Sequence, residues 1–126
     1  MPSTATLERF IARVEANQHV EAIKEFYTEN GAIQENQGEL RVGRARLMEG
    51  EARVMARVKS VKSTCVRPVL VNGDVAVVRW IFEFDWLDGT STRMEEIAWQ
   101  RWEGELIAQE TFFYDPAQRR PTRPQV

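Results

Sequence analysis

The chain has 126 residues, 43% of them hydrophobic with four Trp and six Phe, enough for one domain with a substantial core. A net charge of −2 and a pI near 5.5 exclude the basic surplus that nucleic-acid binding needs, and no like-charge run favours a membrane surface. The single cysteine, Cys65, excludes an internal disulfide and fits a reducing cytoplasm; with only one histidine beside it, no Cys/His metal site and no cofactor are expected.

In chain order, Ser3 and Thr4 are capping residues for a first helix, in which Leu7, Phe10, Ile11 and Val14 recur at helical spacing. Asn17-Gln18-His19 interrupts the pattern as a turn, which predicts an exposed histidine. A second helix carries Val20, Ile23, Phe26 and Tyr27 on one face and is expected to stop at Asn30-Gly31. Ala32 to Asn36 reads as a short strand, which Gln37-Gly38 turns into another, Glu39 to Val42. Gly43 opens a third helix with two apolar stripes, Met48, Ala52, Met55 and Leu47, Val54, Val58, so it is expected to pack on two sides. The N-terminus lacks a basic stretch followed by an apolar run, so no secretory signal is expected, and no apolar run is long enough to span a bilayer.

Residues 61–114 read as four strands joined by turns at Asn72-Gly73, Asp88-Gly89 and Glu103-Gly104. Val75 to Trp86 and Thr90 to Trp102 are about twice the usual strand length of roughly 5–6 residues, so the sheet must curl. One face of the first run holds Ala76, Val78, Trp80, Phe82, Phe84 and Trp86; one face of the second holds Thr92, Met94, Glu96, Ala98, Gln100 and Trp102. The opposite faces are also partly apolar, where a single wet face would alternate cleanly. The expected class is α+β: a cone-shaped barrel, its strongly curved antiparallel sheet wrapped around three N-terminal helices, with a central pocket. Residues 1–117 form this single domain. Residues 118–126, with Arg119, Arg120 and Arg123 among prolines, are expected to be a flexible basic tail.

Three stretches carry a resemblance: LERFIARVEANQHVEAIKEFYTENGAIQEN, the segment around Gly43, and DGTSTRMEEIAWQRWEGELIAQETFFYDPA. Their order and spacing resemble the nuclear transport factor two-like superfamily, and most of all its SnoaL-like branch of small bacterial proteins. The resemblance implies a pocket between the concave sheet and the helices. Against the superfamily's ketosteroid isomerases, AIQEN matches the strand of the general base and puts Glu35 at that position, with Ile33 and Glu35 turned inward by alternation. A carboxylate in an apolar cup has a raised pKa, as a base working near neutrality needs. A rim glutamate meeting water or an arginine is the plainer alternative. The isomerase oxyanion donors fall at Phe10 and Ala98, which donate nothing. Losing one such donor costs roughly 10²–10³ in rate, which argues against ketosteroid isomerase activity proper. Scytalone-dehydratase-like chemistry needs histidines in the cup, and His19 reads as lying in a turn. One position of the limonene-epoxide-hydrolase-like Asp-Arg-Asp set falls at Thr111, and the Asp with His of the polyketide cyclases has no match.

The polar side chains expected inside are Glu35, Glu96, Gln100, Gln109 and Thr111, with Phe10, Trp80, Phe82, Trp102 and Phe113 as apolar walls. Glu35 and Glu96 in one cup would share a proton and form an acid and base pair. Alternatively Glu96 joins Arg79, Arg93 or Arg101 in a structural network, and a bulge would exchange Glu95 for Glu96. On the convex face Val75, Val77, Ile81, Ile97 and Trp99 predict a homodimer, in which Arg79, Arg101, Glu83 and Glu110 cross-pair. Three functions follow as expectations. The first is a cofactor-independent isomerase, dehydratase or cyclase using Glu35 as general base on a small hydrophobic substrate. The second is a pocket that binds such a molecule without turnover. The third is a dimeric interaction module with a filled cup.

Overall fold

The computed structural model describes residues 1–123. Ser3 caps the first helix, α1 (Thr4–Glu15), its hydroxyl oxygen accepting from the Thr6 N–H at 3.1 Å. Glu105, in the last turn of the sheet, accepts from the Ser3 N–H at 2.8 Å and the Ser3 hydroxyl at 2.9 Å, pinning the start of the chain to its far end. Leu7, Phe10, Ile11 and Val14 form the buried stripe of α1; Ala22, Ile23 and Phe26 form that of α2 (His19–Phe26).

The chain then passes directly into β1 (Tyr27–Glu35), so the second helix ends before the expected Asn30-Gly31 stop. Gly31 instead sits inside the strand at an irregularity between Tyr27 and Ala32, where an added Cβ would stand 2.9 Å from the Thr28 carbonyl oxygen. The glycine thus marks a close backbone approach rather than a helix end. After β2 (Arg41–Val42), Gly43 turns the chain at φ 112° into α3 (Arg44–Met55). Leu47 is buried and Met48 is packed against the core; Val54 lines a cavity, so the second stripe meets empty space rather than a second layer.

Four long strands follow: β3 (Val58–Asn72), β4 (Val75–Trp86), β5 (Ser91–Glu103) and β6 (Leu106–Phe113). The sheet order is β2-β1-β6-β5-β4-β3, with β1 parallel to β6 and every other pair antiparallel. The curved sheet is unclosed and antiparallel as expected except at one pair, which makes it mixed: the strand leaving the helices runs alongside the last strand in the same direction. Three helices and this curved sheet make the α+β cone. Phe10 anchors them edge-on to Phe26, Trp80 and Trp102 at centroid distances of 5.5, 6.5 and 6.1 Å.

The segment read as a tail from residue 118 is docked as far as Thr122. Gln118 donates its amide to the Glu95 carbonyl at 3.2 Å and accepts from the Glu95 N–H at 2.7 Å. Ser91 and Thr122 exchange two backbone hydrogen bonds of 2.8 Å. Backbone pairing needs no apolar content, which is why composition misjudged this stretch. Residues 124–126 of the expected tail lie outside the described residues. No helix among the described residues is long and apolar enough to cross a membrane.

Candidate functional site

A cavity of about 640 Å³ opens between the concave sheet, α2 and α3, within the range of roughly 300–1,000 Å³ typical of small-molecule sites. Alternation along β4 lines one wall with Trp80, Phe82, Phe84 and Trp86. Successive rings stand 5.5, 6.2 and 4.9 Å apart, the first and last pairs stacked.

Of the side chains expected inside, Phe10, Trp80, Phe82, Glu35 and Glu96 line this cavity. Gln100 and Trp102 lie on the concave face but are fully covered, behind the cavity wall. Gln109, Thr111 and Phe113 point the other way: the Thr111 hydroxyl donates to Gln34 at 3.2 Å and Phe113 is 46% exposed. The cause is one extra residue. Trp102 pairs with Ile107 and Arg101 with Gln109, leaving Ala108 unpaired as a bulge that inverts the alternation of the rest of β6. Glu110 and Phe112 face inward instead, and Glu110, placed on the convex face by strict alternation, is 1% exposed in the interior.

Glu110 is held by Tyr27, whose hydroxyl donates to Oε1, and by Gln100, whose amide donates to Oε2 at 2.6 Å. Gln100 Oε1 in turn accepts from the Trp102 indole at 3.1 Å. Burial pushes the Glu110 pKa up to about 7, with the Tyr27 and Gln100 hydrogen bonds opposing. Glu96 stands across from Trp80 in the sheet register and has no hydrogen-bond partner among the described residues. Burial first, then the neighbouring Glu35, Glu110 and Glu51, push its pKa up to about 8. No bulge exchanges it with Glu95, which faces out and pairs with Arg79 and, at 3.7 Å, with Arg93.

Glu35 lies at the mouth. Its carboxylate accepts from the Tyr114 hydroxyl at 2.9 Å and faces Arg41 at 3.5 Å and Arg119 at 3.7 Å. Its three partners already engage it, in contrast to Glu96. His19, expected in an exposed turn, begins α2 and is turned inward. Nε2 donates to the Ser63 hydroxyl at 2.8 Å, because the Ser63 proton is directed to Asn17; Nδ1 is 3.4 Å from Glu51. The ring meets Phe82 edge-on at 5.4 Å. Helical phase carried the signal, since His19 shares a stripe with Ile23 and Phe26. Ser63, His19 and Glu51 have the order of a hydrolytic triad, but Ser63 lies outside the cavity lining with its hydroxyl turned to Asn17. Nothing in the sequence alone revealed the Ala108 bulge, and with it the inward turn of Glu110. Among the described residues no three His, Cys, Asp or Glu side chains are arranged to hold a metal ion.

No curated protein matches the chain. Solved structures share the fold. A hypothetical protein with a ketosteroid isomerase-like fold from Catenulispora acidiphila, solved in complex with trimethylamine, is 16% identical over 92% of this chain and 89% of that one, with a TM-score of 0.75. A candidate polyketide cyclase from Pseudomonas putida is 18% identical over 94% and 95%, TM-score 0.75. An LEH-like epoxide hydrolase from M. tuberculosis is 10% identical over 90% and 83%, TM-score 0.74. The SnoaL-like domain model matches residues 7–110, and the chain belongs to that family.

Proposed function

We propose that the protein binds a small, largely apolar molecule in the cup and exchanges a proton with it through Glu96, as a cofactor-free isomerase or lyase. The observation that carries this is the position of Glu96: a carboxyl on the cavity wall, beside Trp80, with no hydrogen-bond partner among the described residues. With a pKa of about 8 it is mostly an acid at neutrality and a base above that pH. Glu110, fixed by Tyr27 and Gln100 and shifted only to about 7, gives the site a second carboxyl in a different environment, the arrangement that separates acid from base. Glu35 then serves as an anchor for Arg41, Arg119 and Tyr114 at the mouth rather than as the base. The Catenulispora structure was solved with a small organic base, which makes small organic molecules reasonable first occupants to test here.

A generic probe tests this without a known substrate. 5-Nitrobenzisoxazole opens to a coloured cyanophenolate when a base removes its ring proton. Turnover is expected to rise with pH to a plateau with its midpoint near 8, and to fall roughly a hundredfold or more in Glu96→Gln, the lower end of what a positioned base contributes. Glu96→Gln as active as the parent would remove Glu96 from this role. Binding without turnover is the second reading, favoured by the side chains at the isomerase donor positions, Phe10 and Ala98, both buried and unable to donate. Quenching of tryptophan fluorescence by the probe with no colour would support it.

A homodimer through the convex face is part of the proposal. Ile97, Trp99 and Phe113 are 37, 50 and 46% exposed side by side on neighbouring strands. Trp99→Glu is expected to give a monomer, or insoluble protein, in analytical ultracentrifugation. An unchanged dimer would dismiss this interface.

A further inference from the structure

The charges around the cavity are unevenly settled. Each guanidinium on its wall stands at the mouth and is engaged: Arg41 and Arg119 on Glu35, and Arg57 over the Trp86 ring at 5.2 Å. Glu51 faces His19, and Asp88 accepts from the Thr90 hydroxyl at 2.6 Å. Two carboxyls remain on the cavity wall. Glu110 meets only the neutral donors Tyr27 and Gln100, and Glu96 meets none among the described residues. Beside them runs the aromatic wall, whose rings stack on one another and give the cavity an apolar flank. Once those two carboxyls are ionised, a cup that holds them among apolar rings, with its cations engaged at the entrance, repels an anion and leaves the charge unanswered by a neutral molecule.

We propose that the cavity takes an organic cation, a protonated amine or quaternary ammonium on an apolar body, with its charge set beside Glu96 and its apolar body along Phe82, Phe84 and Trp86. This rests on the reading of the cavity as a ligand site and names the ligand's class. Glu96 pairs across the strands with Trp80, and Phe82, the next residue on that face of β4, is only partly buried and lines the cavity, so a ligand beside Glu96 also meets the exposed part of the aromatic wall.

Binding is then coupled to protons. Without a cation the two carboxyls hold protons up to about pH 7 and 8. A bound cation favours their ionised forms and lowers both pKa values, so binding releases protons and affinity rises as pH increases through that window. Around these carboxyls, Glu35 pairs with Arg41 and Arg119, His19 faces Glu51, and Tyr27 donates to Glu110 as a neutral hydroxyl. The same event delivers Glu96 as a carboxylate at neutral pH, the form in which it accepts a proton: the charge on the ligand would generate the base.

Three probes with one aromatic body separate the possibilities: benzyltrimethylammonium, benzyl alcohol and benzenesulfonate. Their charges do not change between pH 6 and pH 9, and binding is followed by tryptophan fluorescence and by chemical-shift perturbation on the wild-type protein. The cation is expected to bind tighter than the other two at pH 9. Its affinity is expected to rise between pH 6 and pH 9 by roughly tenfold for each unit by which it lowers a carboxyl pKa. In Glu96→Gln the cation is expected to lose roughly tenfold in affinity at pH 9 and most of its pH dependence. If benzyl alcohol or benzenesulfonate binds as tightly as the cation at pH 9, or if the cation's affinity is the same at both pH values, the charge preference is overturned while the cavity stands as a ligand site. An unchanged Glu96→Gln overturns the seat beside Glu96. If none of the three binds, the ligand-site reading falls with it. The wild-type pH series decides even where the variant does not fold.

Discussion

Raising the pH from about 5 to about 9 is expected to weaken the fold by on the order of 3 kcal/mol, and the Glu96→Gln, Glu110→Gln double variant to lose most of that dependence. Both carboxyls have folded pKa values, about 8 and about 7, above the 4.5 of a free glutamate. Their contribution is therefore fully present below the unfolded pKa. It is lost as pH rises through the folded values, because the unfolded chain releases protons that the folded chain keeps. Each unit is about 1.4 kcal/mol. Against 4.5 the two values set an upper bound of about 8 kcal/mol, and solvent access to the open cavity together with relaxation around the charges lowers it to on the order of 3. Glutamine keeps the shape and, at position 110, still offers its carbonyl oxygen to the Gln100 amide and its amide to the Tyr27 hydroxyl oxygen, which can accept. The acid limb has the opposite origin. Asp85 is lowered by hydrogen bonds from Ser91 and Ser60, and Asp88 by those from Thr90, so their support is lost as pH falls through and below about 4. Urea unfolding at pH 5, 7 and 9 checks this. A midpoint that rises toward pH 9 would contradict the burial of both carboxyls.

Trp102→Ala is expected to cost about 3–5 kcal/mol, the range for removing a large aromatic from a closed core. The indole is 1% exposed, packs edge-on with Phe10 and donates to Gln100, which positions Glu110. The substitution therefore opens the floor beneath the cavity and also frees the amide that holds the buried carboxyl. Trp102→Phe separates the two effects. It keeps most of the bulk but leaves Gln100 Oε1 without its donor, a loss of about 1–3 kcal/mol for an unsatisfied buried acceptor. Urea midpoints for the pair give the partition. Equal losses in both variants would mean that the hydrogen bond, not the packing, dominates at this position.

Long regular elements were legible. The stripe Leu7, Phe10, Ile11, Val14 and the inward row Trp80, Phe82, Phe84, Trp86 emerged from periodicity, because neither α1 nor β4 departs from its period where those residues lie. The hairpin glycines Gly73, Gly89 and Gly104 all adopt positive φ, as the Asn-Gly and Asp-Gly signals implied for the first two. What failed were positions where one residue breaks the period. Gly31 read as a helix end because helix-like spacing continued through Tyr27, although the strand had already begun there. Glu110 read as convex because nothing in LIAQETFF distinguishes Ala108 as an unpaired residue. The parallel neighbours β1 and β6 were also invisible, since pairing across the whole chain leaves no local mark. Tail docking at Thr122 is carried by backbone groups, which every sequence possesses, and at Gln118 by a side-chain amide that bonds the Glu95 backbone and leaves no mark in a hydrophobic pattern.

The extra residue in β6 has an evolutionary consequence. Deleting Ala108 would restore strict alternation beyond it, moving Gln109, Thr111 and Phe113 into the chamber and Glu110 and Phe112 to the outside. A single codon gained or lost would thereby exchange an acidic floor for a neutral amide and hydroxyl, with no substitution at any lining position. Relatives that differ by one residue in this strand should be compared by register before they are compared by residue. Across such an insertion, column-by-column similarity pairs side chains that never face the same solvent.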